Sequence, residues 1–389
     1  VTGSSAELRL ANLRAVLTAA LVRWPVTKPE LARRTGLTQV TVGKVVDQLL
    51  ALGLLERRGD QVTGGQGRPA MQFCPRQQAD LVGVELGVRE TRVYRFGLAG
   101  EPTPAARVAV PMRSNLAELR DGWQPLRGGL RPLAVVASLP GVLEIDPPAI
   151  VYSPNLHWTE GRDLLDVLAA DFGAPVLAVQ ESQALALGHL AGDAASPHFL
   201  LVDLDDGIGG TVVAGGRLLG GTAPVRGEIG HTAVAGNPRR CGCGAVGCIE
   251  TLAGRAGLLQ SFRVDTGNPV AGWEELVATV GSAPLPEWLA QTVDALALVL
   301  AGALNLLGYT EVVCFGELTE LHPDVMPRLG EQLAQHTLQG RFGRIVCRAA
   351  PRRRQLGLLV AAIERCLLPA PEVLVPGRVA GVRRRRSRG

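Results

Sequence analysis

Lysine is almost missing from this 389-residue chain, with Lys28 and Lys44 the only two. The scarcity is a bias of composition and carries no mechanism of its own. Also missing is any uninterrupted apolar run of about 18 residues, the length a membrane-crossing helix needs. No charged-then-apolar leader opens the sequence. These absences lead to the expectation of a cytoplasmic protein with no membrane partner. A disordered composition is excluded as well, because 47% hydrophobic and 20% charged residues belong to a globular chain. The length allows two or three domains around a sizeable core. No internal repeat with a period of about 20–50 residues is visible, so solenoids and propellers are set aside.

The formal charge of +4 conceals a division. Residues 1–76 carry 11 Lys+Arg against 5 Asp+Glu, a net of +6, and residues 77–377 carry 23 against 31, a net of −8. The last 12 residues add 6 arginines and no acid. A basic head on an acidic body suits a polyanionic partner for the head, although charge alone would also fit a solvated basic surface.

Cysteine is sparse and unevenly spent. Cys74, Cys314, Cys347 and Cys366 are scattered as buried thiols would be. The other three, Cys241, Cys243 and Cys248, share a glycine-rich stretch with His231: GEIGHTAVAGNPRRCGCGAVGCIE, residues 227–250. Three thiols and an imidazole are the ligand types that close a tetrahedral zinc site. Cysteines one apart make a poor intramolecular bridge, and disulfides are rare inside cells. The expectation is a structural Zn²⁺ held by His231, Cys241, Cys243 and Cys248 in a loop over 231–248.

The head reads as helices. Apolar residues at Leu10, Leu13, Val16, Leu17, Ala20 and Leu21 have helical spacing. Thr27, Pro29 and Glu30 form a capping-box start for a second helix, which stops at Thr35-Gly36-Leu37. Thr38 caps a third helix whose polar side offers Thr38, Gln39, Thr41, Lys44 and Gln48, opposite Val42, Val45, Val46, Leu49 and Leu50. Two short helices across a glycine turn make a helix-turn-helix pattern, and small polar residues near the start of the second helix suit a major groove. Residues 54–58 and 70–73 are expected to pair as a wing, with Arg68 of GGQGRP reaching a groove or phosphate. A winged helix-turn-helix over 1–76 that binds double-stranded operator DNA through Thr38, Gln39, Thr41, Lys44 and Arg68 is the expectation. The competing reading is a small protein-binding bundle.

From about residue 80 to 389, strand-like and helix-like segments alternate, so the class is α/β. GEIGH followed by CGCGAVGCIE resembles the signature of the ROK family, named for repressors, open reading frames and kinases. The resemblance implies a two-lobed, ribonuclease-H-like and actin-like sugar-kinase fold for the body. The family's regulators resemble the head too, whereas its kinases lack one.

What the resemblance implies for chemistry is mixed. The family's first phosphate loop, D-x-G-G-T, corresponds here to Glu85-Leu86-Gly87-Val88-Arg89, where a glycine and the threonine have become bulky. Its catalytic N-D-A-N corresponds to Gln180-Glu181-Ser182-Gln183. Glu181 is the degenerate proton acceptor, displaced by one carbon and about 1 Å. The second glycine turn, Gly207-Ile208-Gly209-Gly210-Thr211, is better kept. The sugar-facing positions implied by the family are Asn155, in SPNLHW, with Glu228, His231 and Glu250; Gln180 and Glu181 adjoin them. Carboxylates, an amide and an imidazole suit sugar hydroxyls, each of which donates and accepts.

The sequence therefore reads as a regulator, in that family most often a repressor, whose DNA binding is set by a small carbohydrate effector and which has no catalytic residue. Two half-sites call for a homodimer or homotetramer, with the apolar segment 293–307 a candidate for interface or core. The alternatives are a DNA-tethered sugar kinase acting on a hexose or N-acetylhexosamine, and a ligand-free scaffold that pairs the heads.

Overall fold

The computed structural model describes residues 5–61, 70–76, 81–98, 102–111, 115–128, 131–145, 148–192, 194–219, 226–281 and 284–368. Arg68 and the arginine-rich tail lie outside the described residues.

In the head, α1 (Ser5–Val22) buries the six apolar positions that its spacing marks. After β1 (Val26–Thr27), Thr27 opens α2 (Lys28–Thr35) with a complete capping box: its hydroxyl accepts from the Glu30 amide, and the Glu30 carboxylate accepts from the Thr27 amide at 2.8 Å. Gly36 ends that helix at φ 70°, a left-handed geometry that glycine adopts without strain. The Thr38 side chain caps α3 (Gln39–Ala51) by accepting from the Thr41 amide. Val42, Val45, Val46 and Leu49 are buried as expected, while Leu50 is only half-buried. The antiparallel hairpin β2 (Leu55–Gln61) and β3 (Ala70–Pro75) follows, with β1 on the other side of β3. Three helices and this hairpin have the layout of a winged helix-turn-helix.

The body is built twice over. Its first sheet uses β4 (Leu81–Leu86), β5 (Glu90–Phe96), β6 (Pro102–Pro111), β7 (Ala134–Leu139) and β10 (Val176–Gln180) in the order β10-β7-β4-β5-β6. The helices α4 (Leu116–Trp123) and α5 (Asp163–Phe172) cover it, and the small hairpin β8 (Val142–Ile145) and β9 (Pro148–Tyr152) sits at its end. β4, β5 and β6 form an antiparallel meander, and β7 and β10 add in parallel. The second sheet repeats that plan: β11 (Phe199–Leu204), β12 (Ile208–Ala214) and β13 (Arg217–Leu218) are the meander, while β14 (Glu311–Phe315) and β15 (Val346–Ala349) add in parallel. Its order is β13-β12-β11-β14-β15. This is the duplicated, two-lobed ribonuclease-H-like and actin-like fold. The duplicated unit is far longer than the short repeats that a sequence scan seeks.

Each sheet leads into a helix of the same kind: α6 (Glu181–Gly192) follows β10, and α13 (Arg354–Ala362) follows β15 and runs on as a π turn through Leu367. The two cross backbone to backbone, because a methyl on Gly188 would lie 2.1 Å from the Arg353 carbonyl oxygen. The remaining helices, α7 (Glu250–Ala253), α8 (Arg255–Thr266), α9 (Trp273–Gly281), α10 (Glu287–Leu307), α11 (Val325–His336) and α12 (Leu338–Phe342), belong to the second lobe. Among the described residues α10 is the one helix long and apolar enough to cross a membrane. It buries nine residues, from Leu289 to Leu304, in the second lobe's core. The segment 293–307 is thus largely core, with Leu298 and Leu306 facing out.

The head does not hang free. Its apolar core is continuous with Ala184 and Leu187 of α6 and with Leu358 to Ile363 of α13. From α1, Arg14 donates to the carbonyl oxygens of Glu364 at 2.5 Å and Leu368 at 2.8 Å.

Candidate functional site

The glycine-rich loop folds back on itself through close backbone contacts. Gly227 sits at φ 73° with its carbonyl accepting from the Gly210 amide at 2.6 Å, and a side chain there would strike the Gly210 carbonyl oxygen. This pins the loop to β12. His231, Cys241, Cys243 and Cys248 converge so that their ligand atoms all lie within 4.8 Å of one another. The Cys241 sulfur is 3.5 Å from His231 Nδ1, and the Cys243 and Cys248 sulfurs are 3.7 Å apart. The other imidazole nitrogen, Nε2, faces Glu228 Oε2 at 3.6 Å, the carboxylate behind a ligating histidine that orients such rings. Burial pushes the Cys241 thiol up and carries Cys248 to about 12. A soft divalent cation is what would let these thiols ionise. The group fits a metal ion, with four donors and no position left open for chemistry.

Between the lobes lies a cleft of about 470 Å³, lined on one side by β4–β5, Asn155 and the start of α6, and on the other by the β11–β12 turn, the metal-ligand loop and the start of α13. All the sequence-selected sugar positions open onto it: Asn155, Gln180, Glu181, Glu228, His231 and Glu250. Glu250 starts α7 and accepts from the Ile208 amide at 2.9 Å. Gln180 donates to Glu228 at 3.2 Å and to the Arg226 carbonyl. Asn155 caps no helix; its amide lies close to Gly207 and Gly242, across the cleft mouth from its own lobe. Burial pushes the Glu228 carboxyl up, with His231 pulling it down and Glu250 adding to the rise.

The other end of the cleft is dominated by residues that sequence reasoning did not select. Arg354, at the start of α13, approaches Glu181 at 2.6 Å and Asp203 at 3.6 Å. Arg352 holds Asp203 and Asp205, each at 2.6 Å. Loss of water pushes Glu181 up to about 7 against the opposing pull of Arg354. The one available signal was the run Arg352-Arg353-Arg354 ahead of a helix, which reads as surface charge until the fold brings it beside Asp203. Arg89, in the altered phosphate loop, reaches Asp205, Asp206 and Glu317. Nine carboxylates and four guanidiniums line this cleft.

In the head, Thr38, Gln39 and Lys44 are exposed on α3, whereas Thr41 is half-buried and its hydroxyl contacts that of Thr38 at 2.9 Å. Gln48 accepts from Arg9 of α1 at 3.2 Å. Val40, which the sequence reading passed over, is 71% exposed on the first turn of α3, where an apolar side chain can meet a thymine methyl.

A family model described as the ROK family matches residues 81–363. The DNA-binding transcriptional dual regulator NagC of Escherichia coli K12 is 25% identical over 78% of this chain and 80% of its own length. The xylose repressor of Bacillus subtilis is 24% identical over 84% and 87%. Among solved structures, a ROK family transcriptional regulator described as a homologue of the E. coli MLC protein covers 90% of this chain and 97% of its own, with a TM-score of 0.68 at 18% identity. That likeness establishes the fold.

Proposed function

The chain belongs to the ROK family, and from that membership we propose that it is a sequence-specific transcriptional repressor whose hold on operator DNA is set by a small sugar. Relatives that span most of its length bear the names of a xylose repressor and a DNA-binding dual regulator. In this reading Thr38, Gln39, Thr41, Lys44 and Arg68 meet DNA. Asn155, Gln180, Glu181, Glu228, His231 and Glu250 meet the sugar. His231, Cys241, Cys243 and Cys248 hold a structural zinc, which supplies rigidity to the loop that carries Glu228 and Glu250. Two half-sites require two heads, hence a homodimer or homotetramer.

The observation that carries the reading is the pair of crossing helices. Both α6 and α13 begin at the cleft, with Glu181 and Arg354. Both also pack into the core of the head, and Arg14 holds the far end of the α13 segment. A sugar that favours one lobe arrangement would shift that population. A lobe movement centred on this crossing would turn the head with it, and DNA affinity would change.

The kinase alternative has one observation in its favour: Glu181 lies in the cleft with a carboxyl near neutrality, a range suited to a general base. Against it, Glu181 is engaged by Arg354, and Arg89 stands where the family's phosphate loop carries a small residue. The test is capture of genomic fragments by the full chain, with and without xylose, N-acetylglucosamine and glucose. Retention of a small set of fragments, altered by one of these sugars, is expected. Retention without sequence preference would sink the reading.

A further inference from the structure

Arg89 leaves the β4–β5 turn of the first lobe and ends among three carboxylates of the second. Its Nε donates to Asp206 Oδ2 at 2.8 Å, Nη1 to Glu317 Oε1 at 3.2 Å and Nη2 to Asp205 Oδ1 at 3.3 Å. Asp205 and Asp206 form the turn between β11 and β12, and Glu317 follows β14, so one side chain ties two strand ends of the opposite sheet. Two of the acids have a second guanidinium partner. Arg352 takes the second oxygen of Asp205, while Arg255 pairs with Glu317 and lies over the Trp273 ring at 3.9 Å.

A planar guanidinium with donors on all sides matches such a cage, which a single ammonium would not fill. Exposed ion pairs are individually weak. Three on one fork, between preset partners, form a network whose main effect is to fix the distance between two bodies. The same contacts neutralise the charge of Arg89. Arg352 and Arg354 are likewise engaged by Asp203, Asp205 and Glu181. A polyanion entering this end of the cleft would therefore find carboxylates in excess and no guanidinium without an acid beside it.

We propose that Arg89 is an inter-lobe latch that takes the place of a polyanionic second ligand: it holds the lobes together without nucleotide and bars phosphate chains from this end of the cleft. The latch deepens the sugar-sensing reading, because it leaves a cleft that closes on an uncharged sugar alone, and it is testable without any sugar.

The test uses the full chain, ligand-free, in two measurements. Small-angle scattering should show a larger radius of gyration for Arg89→Ala than for the native protein, and the same increase for Asp206→Asn/Glu317→Gln. Combining all three changes should add nothing further. Calorimetry with inorganic tripolyphosphate should give no binding to the native chain. Binding should appear in Asp206→Asn/Glu317→Gln, where Arg89 keeps only Asp205, which it shares with Arg352, and should be lost again when Arg89→Ala is added. Metal content and circular dichroism matching the native protein establish that each variant is folded. Unchanged dimensions in Arg89→Ala, or equal tripolyphosphate binding by native and variant chains, overturns the latch. Failure of the sugar reading appears separately, as DNA retention indifferent to every sugar.

Discussion

Gly188 and Gly357 meet with no side chain between them: a methyl built on Gly357 would lie 3.0 Å from the Gly188 nitrogen and 1.7 Å from the Ala184 carbonyl oxygen. This contact lets α6 and α13 cross backbone to backbone, with the core of the head packed on both. Gly357→Ala should cost about 3 kcal/mol, since neither backbone can yield without moving a whole helix. Gly302→Ala in α10, where nothing lies within 4 Å, should be neutral or stabilising by about 0.5–1 kcal/mol. Urea unfolding of both variants checks the pair, and equal effects would contradict the crossing.

The metal site gives the second prediction. Purified protein should contain about one zinc per chain, and Cys243→Ala should lose both the metal and part of the stability that metal binding lends the fold. Elemental analysis with thermal unfolding reads both. A native chain free of stoichiometric metal would contradict the assignment.

The head gives the third. Lys44→Ala should weaken DNA binding at every sequence and reduce the salt slope by about 1. Gln39→Ala should instead relax base preference at one position, by about 1–3 kcal/mol. Titrations at several salt concentrations separate the two. Identical behaviour of the variants would remove Gln39 from base reading.

A fourth concerns pH. The Glu181 carboxyl is raised on folding from 4.5 to about 7 by loss of water, so the folded state favours its protonated form. Its contribution to stability is full below pH 4.5 and fades as pH rises through 7, by about 3 kcal/mol. Glu181→Gln, which cannot ionise, should therefore gain stability relative to the native chain between pH 4.5 and 8. A difference that stays flat over that range would show that Glu181 is not buried as a near-neutral acid.

Much of this was readable before folding. The capping box at Thr27 and Glu30, the stop at Gly36 and the cap at Thr38 are local chemistry, and they set the helices of the head. His231 with Cys241, Cys243 and Cys248 was visible because metal ligands crowd into a short loop. The two-lobed plan was not legible in periodicity, because its parallel pairs join strands far apart in the chain, such as β4 with β7 and β11 with β14. Strand β6 escaped notice since its prolines, at Pro102, Pro104 and Pro111, argue against a strand; β6 lies at the sheet edge, where missing donors cost little. Arg89, Arg352 and Arg354 gain meaning only from Asp203, Asp205, Asp206 and Glu317, which the sequence holds more than 100 residues from Arg89.

The central claim is that the cleft senses a sugar and does not phosphorylate it. Calorimetry with the sugar that alters DNA retention, run with and without ATP and followed by analysis for sugar phosphate, tests this most directly. The expected result is saturable binding without ATP, no sugar phosphate, and loss of that binding in Glu228→Ala while sugar-free DNA binding persists. Heat that appears only with ATP, together with accumulating sugar phosphate, would contradict the sensor and establish a kinase tethered to DNA.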